Sequence, residues 1–277
     1  MAAWRAQLNL LFAQQHSRTV LRHRQHCGPL QIQRPFYPEA DGTVHLYLLH
    51  PPGGVAGGDE LHINLILQEN SRVLLTTPAA TKLYRHPHLS SQQRLQANLS
   101  DHAILEWLPQ ETIAFNHCRT LNQLQFNLGK NSVLIAWDNL CLARPAINER
   151  FTEGRIEQRL CVNHLGQPLW LERGYLQGQN QDAVLQSHWG WQGQPVLSSF
   201  FCGIVEQSLL PAAREQIATL PKHDQEQIAV TWFDGLLVAR YLGADPRRAQ
   251  TYWLRIWSLV RERLWGKTAC LPRIWAT

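Results

Sequence analysis

The segment HLYLLHPPGGVAGGDELHINLILQ, from His45 to Gln68, contains two short apolar runs separated by a loop rich in glycine and proline. The second run alternates apolar and polar residues in ELHINL, which is typical of a strand with one buried face. The loop from His50 to Asp59 holds four glycines and two prolines, a composition that bends the backbone sharply. The segment therefore predicts two strands joined by a tight connection, with Asp59 at the start of the second strand.

This loop does not have the pattern of a phosphate-binding loop. A Walker loop requires a lysine and a hydroxyl residue after its last glycine, whereas Asp59 and Glu60 follow Gly57 and Gly58 here. Two carboxylates would repel a phosphate group. A dinucleotide-binding turn opens a helix, but strand-like sequence follows this loop. We therefore expect the loop to shape the backbone, with glycines that let another group approach Asp59 closely.

Further short apolar runs recur through the first two-thirds of the chain, each bounded by Gly, Pro, Asn or Asp. They are RVLLTT, AILEWL, SVLIAWDNLCL, RIEQRLCVN and PLWLERGYL. No long helical pattern separates these runs, which disfavours alternating βαβ units. They indicate an architecture of stacked short strands.

The last quarter of the chain has a different pattern. Apolar residues recur with helical spacing from Arg247 to Trp265, with a start signal at Asp245-Pro246 and an end signal at Gly266. A second, weaker helix is expected from Pro211 to Leu220. We predict a mainly β fold of helically arranged short strands with a few C-terminal helices, forming one domain over residues 1–277.

The overall composition limits the possible environments and partners. The net charge is +5 over 277 residues, and the basic residues concentrate at both ends, including Arg247 to Arg273. This charge favours either a protein partner rich in carboxylates or nucleic acid, although no nucleic-acid-binding motif is present. Six scattered cysteines without a CxxC pair, no signal-peptide pattern and no apolar run long enough for a membrane span predict a cytoplasmic protein without membrane association.

Three clusters contain potential metal ligands: His23-x-x-His26-Cys27, His86-Pro87-His88 and His117-Cys118. None of them has the spacing of a zinc finger or of an HExxH helix, so we expect surface or structural histidines. A GxSxG nucleophile motif is also missing from the sequence.

Three single carboxylates in apolar runs are more informative. They are Glu106 in ILEWLPQE, Asp138 in LIAWDNLCL and Glu172 in LWLERGYL. A buried charge costs stability unless it is paired or functional. Two interpretations stay open: ion pairing with neighbours such as Arg144 or Arg173, or a role in lining a polar passage through the protein.

Several long sequence blocks resemble one known family. They are HPPGGVAGGDELHI, LLTTPAATKLYRHP, LEWLPQETIAF, AWDNLCLARPAINERF, PLWLERGYL, RYLG and LPRIWAT. In this order they resemble the urease accessory protein family UreD, called UreH in some bacteria. The chain departs from the family pattern at Asn116-His117-Cys118 and from Ser198 to Cys202.

The resemblance implies a non-catalytic chaperone of nickel urease with a β-rich fold. Members would bind the urease apoprotein and recruit UreF, which holds the GTPase UreG, with UreE as an indirect partner that supplies nickel. No tightly bound cofactor is implied, only transient Ni²⁺. Docking on such partners would place the basic segment Arg247 to Arg273, including Arg261 and Arg263, near an interface.

The resemblance also implies a route for nickel. Matched motif by motif, its positions are Asp59 in GGD, Thr81 in AATK, Asp138 in AWD and Glu172 in LER. Single oxygen ligands hold Ni²⁺ weakly, so an ion could move between them. The alternatives are a β-rich hydrolase that uses Asp59, Asp138 or Glu172 as acid and base, and a nucleic-acid-binding module.

Overall fold

The chain winds as a β-solenoid of about four turns, and each turn contributes one strand to each of two facing sheets. The computed structural model describes residues 3–178 and 184–276. The seven-stranded sheet has, from edge to edge, the order β14 (Gln167–Gln177), β13 (Arg155–His164), β11 (Arg119–Leu128), β8 (Ser91–Leu99), β5 (Glu60–Leu67), β1 (Arg5–Gln15) and β2 (Arg18–Cys27).

The second, ten-stranded sheet contains eight strands in one path and two short strands that branch from it. The path is β16 (Gln227–Phe233), β17 (Leu236–Gly243), β15 (Val196–Gly203), β12 (Val133–Leu142), β9 (Ile104–Leu108), β6 (Arg72–Thr76), β4 (Val44–Leu49) and β3 (Gln31–Ile32). The branch consists of β10 (Thr112–Ala114), which pairs with β12, and β7 (Thr81–Leu83), which pairs with β10.

Parallel pairing defines the solenoid, and antiparallel hairpins close its ends. Strands β1, β5, β8, β11 and β13 pair in parallel in the seven-stranded sheet, as do β4, β6, β9 and β12 in the other. At the ends, β2, β14 and the β15–β17–β16 group run antiparallel to their neighbours. The prediction of a mainly β fold of helically arranged short strands is confirmed.

The two sheets differ in how many of their faces are covered. The inner faces of both sheets pack against each other through leucines such as Leu65, Leu75 and Leu105. The other face of the ten-stranded sheet packs against helices, so strands such as β9 are buried along their whole length. A sheet covered on both faces requires nearly continuous apolar strands. This explains why AILEWL and SVLIAWDNLCL read as unbroken apolar runs, whereas ELHINLIL alternates.

Both expected helices are present, and they form the outer layer. Helix α1 runs over Leu209–Ala218 and α2 over Pro246–Trp265. The Asp245 side chain caps α2 by accepting a hydrogen bond from the backbone N–H of Arg247, and Gly266 ends it in the left-handed conformation. Short 3-10 turns lie at Pro145–Ile147 and Arg273–Ala276.

Within the described ranges, no helix has the length and apolarity that a membrane crossing requires. The extent of a single domain over residues 1–277 stays a prediction.

Candidate functional site

The glycine-rich loop is fixed in place by Asp59. This carboxylate is 3% exposed and accepts hydrogen bonds from the backbone N–H of Trp4 and of Ala56, each at 2.8 Å. One oxygen therefore holds the start of β1, while the other closes the loop from His50 to Asp59. This arrangement gives Asp59 a structural task at the first turn of the solenoid.

The close approach permitted by the glycines is made by the segment around β7. A Cβ atom on Gly54 would lie 2.4 Å from the Tyr84 ring, and one on Gly57 would lie 2.3 Å from the Cβ of His86. The backbone N–H of Val55 also donates to the carbonyl of Lys82 at 2.7 Å. The loop therefore packs tightly against β7, whose first residue is Thr81.

A cavity of about 260 Å³ lies between the two sheets. Thr81 and Asp138 line it from the ten-stranded side, and Leu61 and Leu95 line it from the seven-stranded side. His50 also lines the cavity, whereas Asp59 does not. The cavity is mostly apolar with a few polar groups, which is the usual composition of a ligand site.

A smaller cavity of about 30 Å³ adjoins the first. Asn122, Leu124 and Asp138 line both cavities, and Glu172 lines only the smaller one. Asp138 therefore lies at the junction between them. The geometry brings Thr81, Asp138 and Glu172 along one interior path and leaves Asp59 beside it.

Asp138 is an incompletely paired carboxylate inside the protein. It accepts a hydrogen bond from the Nε2 of Gln158 at 2.9 Å. Burial, followed by the nearby charge of Glu172, raises the pKa of Asp138 to about 6. The residue keeps some accessible surface although protein surrounds it, since its side chain faces the cavities. Its charge can therefore be offset by a cation that enters them.

Glu172, by contrast, has a cationic partner. Its Oε2 forms a salt bridge with Arg240 and accepts a hydrogen bond from the Nε1 of Trp170 at 3.2 Å. Ion pairing was one of the two interpretations left open, and Glu172 is ion-paired, but with Arg240 instead of Arg144 or Arg173. Arg144 pairs with Glu149 at 2.8 Å, because both residues lie in the loop that follows β12.

Three amide side chains near the path were not singled out from the sequence. Gln93, Asn122 and Gln158 occupy aligned positions on β8, β11 and β13, and all three line the cavities. Each of the three side chains takes an inward position in its strand. The next inward residues of the same strands are Leu95, Leu124 and Leu160, which are apolar. A polar residue at an otherwise apolar inward position can be recognised in the sequence. The row supplies neutral oxygen and nitrogen atoms beside Asp138.

The third candidate carboxylate, Glu106, faces away from the cavities. It is 2% exposed, and it accepts hydrogen bonds from the indole of Trp257 and from Arg261, the latter at 3.0 Å. Burial raises the pKa of Glu106, and the adjacent guanidinium of Arg261 opposes that rise. Glu106 therefore joins the sheet to α2. It is ion-paired, as one of the two interpretations held, and its partner Arg261 is distant from it in the sequence.

This arrangement corrects the expectation for Arg261. The side chain is 1% exposed, so it cannot dock on a partner. It follows Trp253 and Trp257 at intervals of four residues, which places all three on the buried face of α2. Arg263, in contrast, is exposed.

The three histidine clusters do not form metal sites within the described ranges. The Nδ1 of His86 accepts a hydrogen bond from the backbone N–H of Leu89 at 2.8 Å. His117 lies 3.3 Å from Glu153, and burial raises the pKa of the Cys118 thiol to about 12. His23 and His26 lie exposed on β2.

Comparison with known proteins identifies close relatives over the whole length. The family model described as UreD urease accessory protein matches residues 5–276. The chain is 40% identical over 280 residues to "Urease accessory protein UreD" of Dechloromonas aromatica, covering 99% of this chain and 95% of the relative. It is 41% identical over 274 residues to the protein of that name from Citrobacter koseri, covering 99% and 92%. The corresponding protein of Klebsiella aerogenes is 39% identical over 274 residues, covering 99% and 97%.

Proposed function

Because this chain belongs to the UreD family of urease accessory proteins, we propose that it carries nickel toward urease through the adjoining cavities between its sheets. Members of the family act in urease maturation and nickel insertion and are not enzymes. The expectation of a non-catalytic protein is confirmed by this membership. Family membership does not specify the route of the metal or the identity of the partners, and these two points are the proposal.

One observation carries the proposed route: Asp138 lines both cavities and has a single amide donor. A carboxylate in this setting can exchange its weak pairing for a passing divalent cation. Thr81 would offer a hydroxyl oxygen before it and Glu172 a carboxylate after it. Asp59 would act through the loop that it closes, since both of its oxygens hold backbone N–H groups.

The ligand set suits transient binding. Isolated oxygen ligands hold borderline cations such as Ni²⁺ less tightly than clustered imidazole and thiolate groups do. An ion that meets single carboxylates, hydroxyls and amides in succession can leave each of them, as conduction through multiple weak sites requires. No tightly bound cofactor is part of this proposal.

The proposed partners are the urease apoprotein and UreF, with the GTPase UreG held through UreF and UreE as an indirect nickel source. The missing Walker pattern in the glycine-rich loop is consistent with nucleotide hydrolysis by a partner. Exposed aromatic and aliphatic side chains, including Leu171 and Tyr175 on the edge strand β14 and Phe233 on β16, offer apolar contact area for a protein partner.

The route can be tested by coexpressing the full chain with the urease apoprotein, UreF, UreG and UreE. We compare Asp138→Asn with a matched control, Asp224→Asn, which removes an exposed carboxylate. The first variant is expected to leave the captured complex intact while lowering the nickel content and activity of the urease. Normal nickel loading with Asp138→Asn would overturn the route, and failure of the natural chain to form the captured complex would overturn the partner assignment.

A further inference from the structure

A second group of potential metal ligands lies on the helix-covered side of the ten-stranded sheet. Within the described part of the chain it is the one group of three such residues, and it consists of Glu39, His45 and Cys270. One potential ligand atom from each residue lies within 4.8 Å of the other two. His45 is on β4 beside Leu74 of β6, whose side chain packs in the helix-side core. The group is therefore on the opposite face of the sheet from the cavities.

We propose that Glu39, His45 and Cys270 form a binding site for a divalent cation of borderline softness, Zn²⁺ or Ni²⁺. Imidazole, thiolate and carboxylate together are ligands that such cations prefer, whereas Mg²⁺ and Ca²⁺ prefer oxygen alone. The site is separate from the proposed route and does not depend on it.

His45 has coordinating capacity that the protein does not use. Its side chain is 0% exposed, and its Nε2 lies 2.8 Å from Glu39 Oε1. Its Nδ1 is buried without a hydrogen-bond partner. A buried polar atom without a partner costs stability. An ion bound by Nδ1 would remove that cost, whereas an ion bound by Nε2 would replace the contact with Glu39.

Cys270 supplies a thiol from a different part of the chain. It is free and partly exposed, so ions can reach the group from the side of the C-terminal tail. The tail is otherwise held by a salt bridge from Lys267 to Asp41 and by a 2.9 Å hydrogen bond from the indole of Trp275 to Thr76. Cys270 lies between these two attachments in sequence, opposite the loop that contains Glu39.

The surrounding charges match a divalent cation. Glu39 and Glu106 both contact Arg261, so two carboxyl groups share one guanidinium. A metal-bound thiolate at Cys270 would add a negative charge beside them. The Arg261 contact uses Oε2 of Glu39, and Oε1 faces His45. The carboxylate can thus keep its arginine while its second oxygen binds the ion.

A bound ion would fasten the tail to the solenoid. The three ligands come from the loop before β4, from β4 itself and from the tail that follows α2. An ion that joins them would restrain segments separated by more than two hundred residues in sequence, and it would stabilise the folded chain by mass action.

The test uses the full-length chain, stripped with a chelator and dialysed separately against Zn²⁺ and Ni²⁺. Bound metal is counted by mass spectrometry, and Ni²⁺ samples are examined for sulfur-to-nickel charge transfer in the near ultraviolet. We compare the natural sequence with Cys270→Ser and with Cys161→Ser, a matched control because Cys161 is also free and partly exposed. Asp138→Asn serves as a control for binding in the cavities.

The natural chain, Cys161→Ser and Asp138→Asn are all expected to bind one ion with a thiolate signature and to gain thermal stability. Cys270→Ser is expected to lose at least about tenfold in affinity and to lose the stabilisation. If the binding of Zn²⁺ but not of Ni²⁺ depends on Cys270, the bound ion has a structural role. If the binding of Ni²⁺ but not of Zn²⁺ depends on Cys270, the site holds nickel. Equal binding by Cys270→Ser and Cys161→Ser, or binding lost only in Asp138→Asn, would overturn the proposal.

Discussion

Glu106 and Asp138 are single carboxylates on neighbouring strands of the same sheet, yet they lie in opposite electrostatic settings. Glu106 on β9 faces α2 and contacts both Arg261 and the indole of Trp257. Asp138 on β12 faces the cavities and has one amide donor, Gln158. Their strands pair in parallel with Glu106 opposite Ile135, so the two carboxylates fall on opposite faces by the alternation of side chains.

The difference separates a carboxylate that holds the fold from one that is available for a ligand. The protein supplies charge-assisted hydrogen bonds to Glu106 and encloses it on all sides. It leaves Asp138 beside empty volume with an amide as its donor. A buried carboxylate with too few partners is a candidate for cation binding, since a cation can provide what the protein does not.

Removal of Arg261 should have the largest effect on this comparison. Arg261→Met leaves Glu106 buried without its cation, and we expect the free energy of unfolding to fall by about 3 to 5 kcal/mol. The double variant Glu106→Met/Arg261→Met should recover part of this loss, because it removes the buried Glu106 carboxyl together with Arg261, while Glu39 still loses its arginine. Urea denaturation of the three proteins measures both effects. A loss below about 1 kcal/mol in the single variant would mean that the pair does not fasten α2 to the sheet.

A second paired carboxylate, Glu226, extends the comparison to acidic pH. The Glu226 side chain is 3% exposed, and it accepts hydrogen bonds from Arg248 at 2.8 Å and from Tyr252 at 2.6 Å. Burial alone would raise its pKa, but these bonds lower the pKa to about 2 from an ordinary value of 4.5. Its contribution to stability is therefore present above about pH 4.5 and is lost as the pH falls toward 2.

We expect Glu226→Gln to reduce the free energy of unfolding by about 2 to 3 kcal/mol at neutral pH. The difference from the natural sequence should shrink as the pH falls from about 4.5 to about 2. Denaturant titrations across this range provide the measurement. A difference that stays constant with pH would show that the amide disturbs packing and that charge is not the cause.

Asp138→Asn should change the free energy of unfolding in the opposite direction. The rise of its pKa from 3.8 to about 6 means that ionised Asp138 destabilises the fold above about pH 4, increasingly up to about pH 6. That rise corresponds to a destabilisation of about 3 kcal/mol at neutral pH. We expect Asp138→Asn to raise the free energy of unfolding by about 1 to 2 kcal/mol, because water in the cavities weakens the effect. The variant should therefore be more stable than the natural chain at pH 7 in denaturation without metal, and equally stable below about pH 4. A destabilised variant at pH 7 would place Asp138 in the same class as Glu106.

The sequence predicted the strands better than it predicted their partners. Runs such as AILEWL were identified because strands covered on both faces carry no polar alternation. Strands β8 and β11 were not singled out, since glutamines and asparagines occupy most of their outward positions and one inward position in each. The start and end of α2 were predicted closely because Asp245, Pro246 and Gly266 are local signals.

The site could be predicted in its ligands but not in its geometry. Glu106 and Asp138 look alike in sequence, and the cation that distinguishes them, Arg261, lies 155 positions from Glu106. Such pairing depends on how α2 packs on the sheet, which local pattern does not encode. The row of Gln93, Asn122 and Gln158 depends on the register between strands. Each residue interrupts an apolar alternation, but their alignment appears only when the solenoid forms.

The smallest effect is expected where a carboxylate is paired in contact with solvent. Glu157 on β13 points away from the cavities and pairs with Arg159 and, at 3.4 Å, with Arg155, whose side chain is 49% exposed. Water and salt weaken such pairs, so Glu157→Gln should change the free energy of unfolding by less than about 0.5 kcal/mol. Urea denaturation at low and high salt measures the change. A loss of unfolding free energy comparable with that of Arg261→Met would mean that the number of partners alone determines how much a carboxylate stabilises the fold. A small loss would show that ion-pair partners stabilise this fold only where water is excluded.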